Sequence, residues 1–264
     1  MKALGIKQFH QKKFKLMDLN GSPFKGTLGN VPKHFTCVIG GFSGNGKTEF
    51  CIKLAKELCN HGKVAWFSYE QRHGFDLQTA TIRNNMEDVS GLFIPVDPID
   101  KPENVSFLED LDNYLSKRNS PDYIFIDSVD YTGWSKSDYL HLKEKYEGKK
   151  TFIFICHTDK SGNPRKSIAA DIIFDGGMFI IIQKYIATPV KNRFGGFESY
   201  VIWEKKAREL NPLFFDPKNK VKSNNDNQQT ELFRKSDSET EGVNIKSASK
   251  NKGVDAKSEL KKVG

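Results

Sequence analysis

From Phe35 to Trp203 short apolar runs, bounded by polar residues, alternate with stretches whose apolar positions recur every three or four residues. The runs are FTCVIG (35–40), VAWFSY (64–69), LFIPV (92–96), YIFID (123–127), TFIFICH (151–157), MFIII (178–182) and SYVIW (199–203). Such near-continuous runs predict strands covered on both faces, as in a mostly parallel sheet. Between them, Phe50, Leu54 and Leu58 recur at four-residue spacing, and Val105, Leu108, Leu111 and Leu115 at three and four. Each series predicts a helix with one buried stripe. The fold class expected is therefore α/β, a mostly parallel central sheet with helices on both faces. No internal repeat is present.

The pattern stops near Leu210. Beyond it the chain is rich in Lys, Ser, Asn, Asp and Glu and too poor in apolar residues to offset chain entropy. Three regions are expected: residues 1–30, packing on the core or on a neighbouring subunit; residues 31–210, the α/β domain; and residues 211–264, a disordered C-terminal tail. Apolar spots at Leu213–Phe215 and Leu232–Phe233 are candidate partner motifs in that tail.

Charge and cysteine content narrow the picture further. The 264 residues carry a net charge of +8, which suits a polyanionic partner, although a basic solvated surface explains it equally well. Cys37, Cys51, Cys59 and Cys156 lie in or beside apolar segments with no C-x-x-C pair, so they read as small buried hydrophobes in a reducing compartment. The first residues hold no apolar stretch long enough for a signal peptide, and nothing later is long enough to span a bilayer. A cytoplasmic protein with no membrane partner is expected.

Chemistry enters at GFSGNGKT (Gly41–Thr48), which fits G-x-x-x-x-G-K-[ST] between a predicted strand and a predicted helix. Gly41, Gly44 and Gly46 let the backbone turn its N–H groups inward at the positive end of a helix dipole. The loop Gly41, Phe42, Ser43, Gly44, Asn45, Gly46, Lys47, Thr48 and the following Glu49 would hold ATP. Lys47 would reach the β- and γ-phosphates, and Thr48 would place its hydroxyl on Mg²⁺. A second carboxylate centre is supplied by YIFIDSVD, whose strand ends at Asp127, a candidate to hold Mg²⁺ through water. VAWFSYE ends the second strand with Glu70, expected beside the first strand if a right-handed crossover joins them. A carboxylate there would orient or deprotonate the attacking water.

Together these features resemble the RecA-like P-loop ATPases, particularly the RadA-type repair proteins and the cores of DnaB-type helicases, over about residues 28–210. The phosphate loop, the strand ending before Glu70, IDSV (126–129) and KNRFG (191–195) carry the resemblance. It implies a RecA-like fold and a homo-oligomer, ring or filament, with the active site split between copies. It also implies that Lys191 and Arg193 reach the γ-phosphate of a neighbour's nucleotide. Cations supplied in trans stabilise charge developing on the transferred group. TFIFICH ends at His157, where the resemblance implies a polar γ-phosphate sensor. These residues show neither the zinc-binding segment and protease-like domain of RadA proteins nor the helical domain of DnaB helicases, so a minimal core with a tail is expected.

Two segments are candidate single-stranded DNA contacts. DYTGWSK offers Tyr131 and Trp134 as stacking surfaces and Lys136 for phosphate; TDKSGNPRKS offers Lys160, Arg165 and Lys166 on a flexible loop. The leading expectation is a Mg²⁺-dependent ATPase acting on single-stranded DNA in replication or recombination. A nucleotide-switched binding module with little turnover, and a small-molecule kinase, stay open as alternatives.

Overall fold

The structure, a computed structural model, describes residues 3–216. All seven apolar runs become strands: β1 (Thr36–Gly41), β2 (Val64–Ser68), β3 (Phe93–Val96), β4 (Tyr123–Asp127), β5 (Thr151–His157), β6 (Met178–Gln183) and, last in the chain, β8 (Tyr200–Val201). Between β6 and β8 lies β7 (Ile186–Asn192), for which no apolar run stands in the sequence. The sheet order is β3-β2-β4-β5-β1-β6-β7-β8. Strands β1 to β6 pair in parallel, and β7 runs antiparallel to both β6 and β8.

Strand β7 escaped the pattern for a physical reason. Lys191 pairs with Phe179 and Pro189 with Ile180, so Val190 is an extra residue, bulged out of register. A bulge breaks the two-residue period, and Pro189 supplies no N–H, so the segment reads as a connection.

The helices are α1 (Ile6–His10), α2 (Lys25–Leu28), α3 (Lys47–Leu58), α4 (Phe75–Arg83), α5 (Phe107–Leu115), α6 (Lys136–Tyr146), α7 (Ser167–Asp175) and α8 (Glu204–Leu210). Alternation along the strands divides the core in two. Cys37 and Ile39 of β1 pack with Trp66, Phe125 and Ile153 against Phe50, Leu54 and Leu58 of α3. On the other face Val38, Phe67, Ile124 and Phe154 meet Leu111 of α5, Leu142 of α6 and Ile172 of α7. Two serines start two of these helices: Ser106 and Glu109 form a reciprocal capping box at α5, and Ser135 and Asp138 another at α6.

Within the N-terminal segment, Met17, Leu19, Phe24 and Leu28 are buried in the α3-side core, and Phe24 stacks on Tyr200 with centroids 4.7 Å apart. Leu4, Ile6, Phe9 and Phe14 are exposed. By internal contacts the chain divides after Pro212. Of the second unit only Leu213–Asp216 are described, with Phe214 and Phe215 in edge-to-face contact at 5.2 Å. The disordered tail is expected from residue 211, but Pro212–Phe215 form a short 3-10 turn after α8; residues 217–264, including Leu232–Phe233, lie outside the described residues. Among those described, no helix is long and apolar enough to cross a membrane, and all four cysteines are buried and free.

Candidate active site

The carboxyl ends of β1, β4 and β5 converge because β5 is inserted between the other two. Gly41 at the end of β1 is level with His157 at the end of β5, and Asp127 at the end of β4 is level with Ile155. The phosphate loop leaves β1 and enters α3 at Lys47. Gly44 and Gly46 hold φ of 77° and 93°, the left-handed region that a Cβ disfavours. Asn45 ties the loop together from inside, its Nδ2 donating to the carbonyls of Phe42 and Ser43 at 3.2 and 3.4 Å. Phe42, Ser43 and Gly44 are exposed, so the loop is a shallow cradle.

Lys47 Nζ donates to the carbonyl of Gly41 at 2.8 Å, which holds the ammonium at the loop. Thr48 follows in the first turn of α3, half-buried. Glu49 points elsewhere: its carboxylate accepts from Arg83 and, at 2.8 Å, from Asn84 Nδ2, bracing α3 against the end of α4.

Glu70 is not beside the first strand. Strand β2 is separated from β1 by β4 and β5, so the connection through α3 does not land on the adjacent strand. The carboxylate nonetheless reaches the site across those strands, accepting from His157 Nε2 at 2.9 Å. That hydrogen bond, more than any other influence, keeps its pKa below the ordinary value despite partial burial. Since an ionised carboxylate only accepts, the proton is assigned to Nε2 of His157.

Asp127 is in the opposite condition. It is 5 % exposed, and burial raises its pKa to about 7, with the charge of Glu70 adding to the rise and Lys47 opposing it. Its Oδ2 has no hydrogen-bond partner among the described residues, and neither do the buried Oγ of Ser68, level with it on β2, and Oδ1 of Asp130. Asp130 Oδ2 accepts the backbone N–H of His157 at 2.7 Å. Six further buried polar atoms among the described residues also lack partners, Trp66 Nε1 next to Asp127 among them, but these three are oxygens gathered at the carboxyl ends of β2 and β4, where a cation or bound water would satisfy them. All are hard oxygens, the donor set Mg²⁺ prefers, and a buried carboxylate of raised pKa is stabilised by such a charge. These residues therefore fit Mg²⁺ with a triphosphate.

Ser68 and Asp130 escaped the sequence reading. Asp130 had a signal, a second acid three residues after Asp127, whereas a serine two residues before Glu70 has none that sets it apart.

The other candidates fall away from this centre. Lys191 and Arg193 stand toward the amino end of the sheet, since β7 pairs Lys191 with Phe179 near the start of β6 while Ile182 is the residue level with Gly41. Lys191 Nζ donates to the carbonyls of Ile173 and Phe174 at the end of α7, at 2.6 and 2.8 Å. Neither residue lies at its own chain's phosphate loop. Arg193 opens instead onto a cleft of about 220 Å³ lined by His34, Lys143, Lys150, Asp175 and Tyr139 among others.

Of the DNA candidates, Tyr131 is 55 % exposed and sits edge-on to His157 at 6.3 Å. Trp134 corrects the expectation: at 7 % exposure it is core, packed edge-on to Tyr69 at 5.9 Å, and offers no stacking face. Lys136 is exposed but paired with Asp171 at 3.2 Å. Lys160, Arg165 and Lys166 are exposed on a loop that is less free than expected. Asp159 accepts the N–H groups of Ser161 and Asn163 at 2.8 and 2.9 Å, and Thr158 bridges to Pro164.

A phosphate loop on β1, an acidic end to β4 and the strand inserted between them define the RecA-like P-loop fold, and this chain has it. Two solved structures share that fold. One is the flagellar accessory protein FlaH from Methanocaldococcus jannaschii, 20 % identical, covering 72 % of this chain and 92 % of its own with a TM-score of 0.50. The other is a KaiC-like protein from Pyrococcus horikoshii, 17 % identical, covering 71 % and 94 % with a TM-score of 0.52. No family model matches the sequence, and no curated protein does.

Proposed function

We propose that the protein is a Mg²⁺-dependent ATP hydrolase of RecA-like fold that works as an assembly of copies on single-stranded DNA. The observation that carries the reading is the set of three buried oxygens without partners among the described residues, on Asp127, Ser68 and Asp130, together with a complete phosphate loop. Residues 31–210 form the catalytic domain in this reading.

The amides of residues 44–48 and the ammonium of Lys47 bind the triphosphate, leaving the Gly41 carbonyl for the phosphate oxygens. Thr48 and Asp127 would hold Mg²⁺, which would supply charge neutralisation to the phosphates. Glu70 orients the attacking water and takes its proton at a carboxylate oxygen, once His157 turns from Glu70 toward the γ-phosphate. The His157 backbone is tied to Asp130 and to Arg165, whose N–H donates to the His157 carbonyl at 3.0 Å, so movement of the ring is felt in the loop carrying Lys160, Arg165 and Lys166. That loop and Tyr131 are the DNA contacts retained. Lys191 and Arg193, remote from their own loop, complete the site of a neighbouring copy. The KNRFG resemblance supports that role, and Lys191 would exchange two carbonyl partners for phosphate.

One observation favours a second reading. Glu70 is held by His157, which is how a nucleotide-switched module with slow turnover would keep its base idle. Glu70→Gln separates the two. For a hydrolase, steady-state turnover falls by about 10²- to 10⁴-fold while MgATP affinity persists, because a general base contributes that much. Turnover that is already negligible in the wild type, with and without single-stranded DNA, and that Glu70→Gln leaves unchanged, supports the switch instead.

A further inference from the structure

The turn joining β6 to β7 is made of two non-glycine residues in the left-handed region, Lys184 at φ 50° and Tyr185 at φ 60°. Two-residue hairpin turns of this hand are ordinarily built from Asn-Gly, because a Cβ is disfavoured there. Strain of this kind persists only where the surroundings hold it, and it gathers at functional sites. What holds this turn is the phosphate loop. The Lys184 N–H donates to Asn45 Oδ1 at 2.7 Å, and the Tyr185 N–H donates to the Asn45 carbonyl at 3.2 Å.

The Tyr185 ring lies so close over Gly46 that a Cβ there would come within 2.8 Å of it. Trp203, just before α8, meets that ring edge-on with centroids 5.8 Å apart. The strand end carrying Trp203 is fastened in turn: Ile202 N–H donates to the Tyr185 carbonyl at 2.9 Å, and Lys53 Nζ donates to the Ile202 carbonyl at 2.6 Å. Trp66 and Trp134 are buried, but Trp203 is 50 % exposed. An indole held this firmly with half its surface in water contributes little to the core.

A nucleotide gripped by its phosphates must extend along one flank of the loop. The flank toward β4 carries Asp127 and Glu70, which suit a cation and a water. The flank toward β6 carries the Tyr185–Trp203 pair, with no acidic side chain among these contacts. An uncharged aromatic base matches the second flank. We propose that Tyr185 and Trp203 form the platform on which the nucleobase stacks, so that the site prefers nucleoside triphosphates over bare polyphosphate. This rests on the nucleotide reading above, and names the part of the site that recognises the base.

The test is titration calorimetry of the full chain with MgATP and, separately, with magnesium tripolyphosphate, for the wild type and Trp203→Ala. Trp203 makes no side-chain capping bond to α8, and its exposure leaves the core intact on truncation. Stacking of a base on one aromatic side chain predicts a loss of about tenfold in MgATP affinity, with tripolyphosphate affinity unchanged. Equal MgATP affinity in the two proteins overturns the platform and leaves the phosphate site standing. Equal losses for both ligands also overturn it, because Trp203 would then brace the loop instead of the base. A wild type that binds neither ligand removes the nucleotide reading itself.

Discussion

The two ends of one sheet use their charges in opposite ways. At the carboxyl end, Asp127, Ser68 and Asp130 each keep a buried oxygen without a partner. At the amino end the charged groups are satisfied, and the buried atoms without partners among the described residues there, such as His34 Nδ1 and Tyr123 OH, belong to no carboxylate. Asp175 accepts from Lys143 at 2.7 Å and from Tyr139 at 2.5 Å, and Lys150 Nζ donates to Ser120 and to the Pro121 carbonyl at 2.8 Å. The amino end nevertheless has an open cleft, of about 220 Å³. Open volume therefore does not mark the site here. Buried carboxylate oxygens without partners do, because each costs stability that a bound cation or water would return.

Titration should expose the contrast. Asp127 is pushed up from an ordinary 3.8 to about 7, so the folded chain binds its proton more tightly than the unfolded chain does. Its contribution to stability accordingly declines as pH rises from about 4 to 7. Burial also works against ionisation of Asp175, but the hydrogen bonds from Lys143 and Tyr139 outweigh it and hold that pKa below the ordinary value. Its contribution is present above the ordinary carboxylate range and is lost as pH falls through the lowered value.

Asp127→Asn probes the carboxyl end most severely. Magnesium-dependent ATP turnover should fall by at least about 10²-fold, while the nucleotide-free protein becomes more stable at pH 8, by about 2–4 °C in Tm for each kcal/mol of relieved charge burial. A variant that is less stable than wild type at pH 8 would break the comparison, since Asp127 would then be a satisfied structural acid. Lys143→Met probes the amino end and should do little. Loss of a half-exposed ion pair costs about 0.2–1 kcal/mol in denaturant unfolding, with MgATP affinity unchanged. A marked loss of affinity would mean that the amino end belongs to the nucleotide site of the same chain.

Much of this was legible in the sequence, and the gaps have physical causes. Strands such as YIFID and TFIFICH showed themselves because burial on both faces keeps polar residues to the ends of the run. The phosphate loop did so because backbone N–H groups can line a tight turn only with glycines at set places. Strand order is not local information, so Glu70 was expected next to β1 and instead meets His157 across β4 and β5. Strand β7 was hidden by Pro189 and the bulged Val190. Trp134 could not be told from a surface tryptophan, because an aromatic residue between Gly133 and Ser135 looks the same whether it packs inward or stacks outward. Tyr185 and Trp203 lie apart in the chain and meet only because β6, β7 and β8 fold back past the loop.

The central claim is that a magnesium-bound nucleoside triphosphate is held at the end of β1, and calorimetric titration of MgATP into the wild type and Lys47→Ala tests it most directly. The account predicts saturable binding to the wild type and a loss of about a hundredfold in affinity on removing the ammonium, equivalent to ~3 kcal/mol. Equal affinity in the two proteins, or no binding to the wild type, would contradict it.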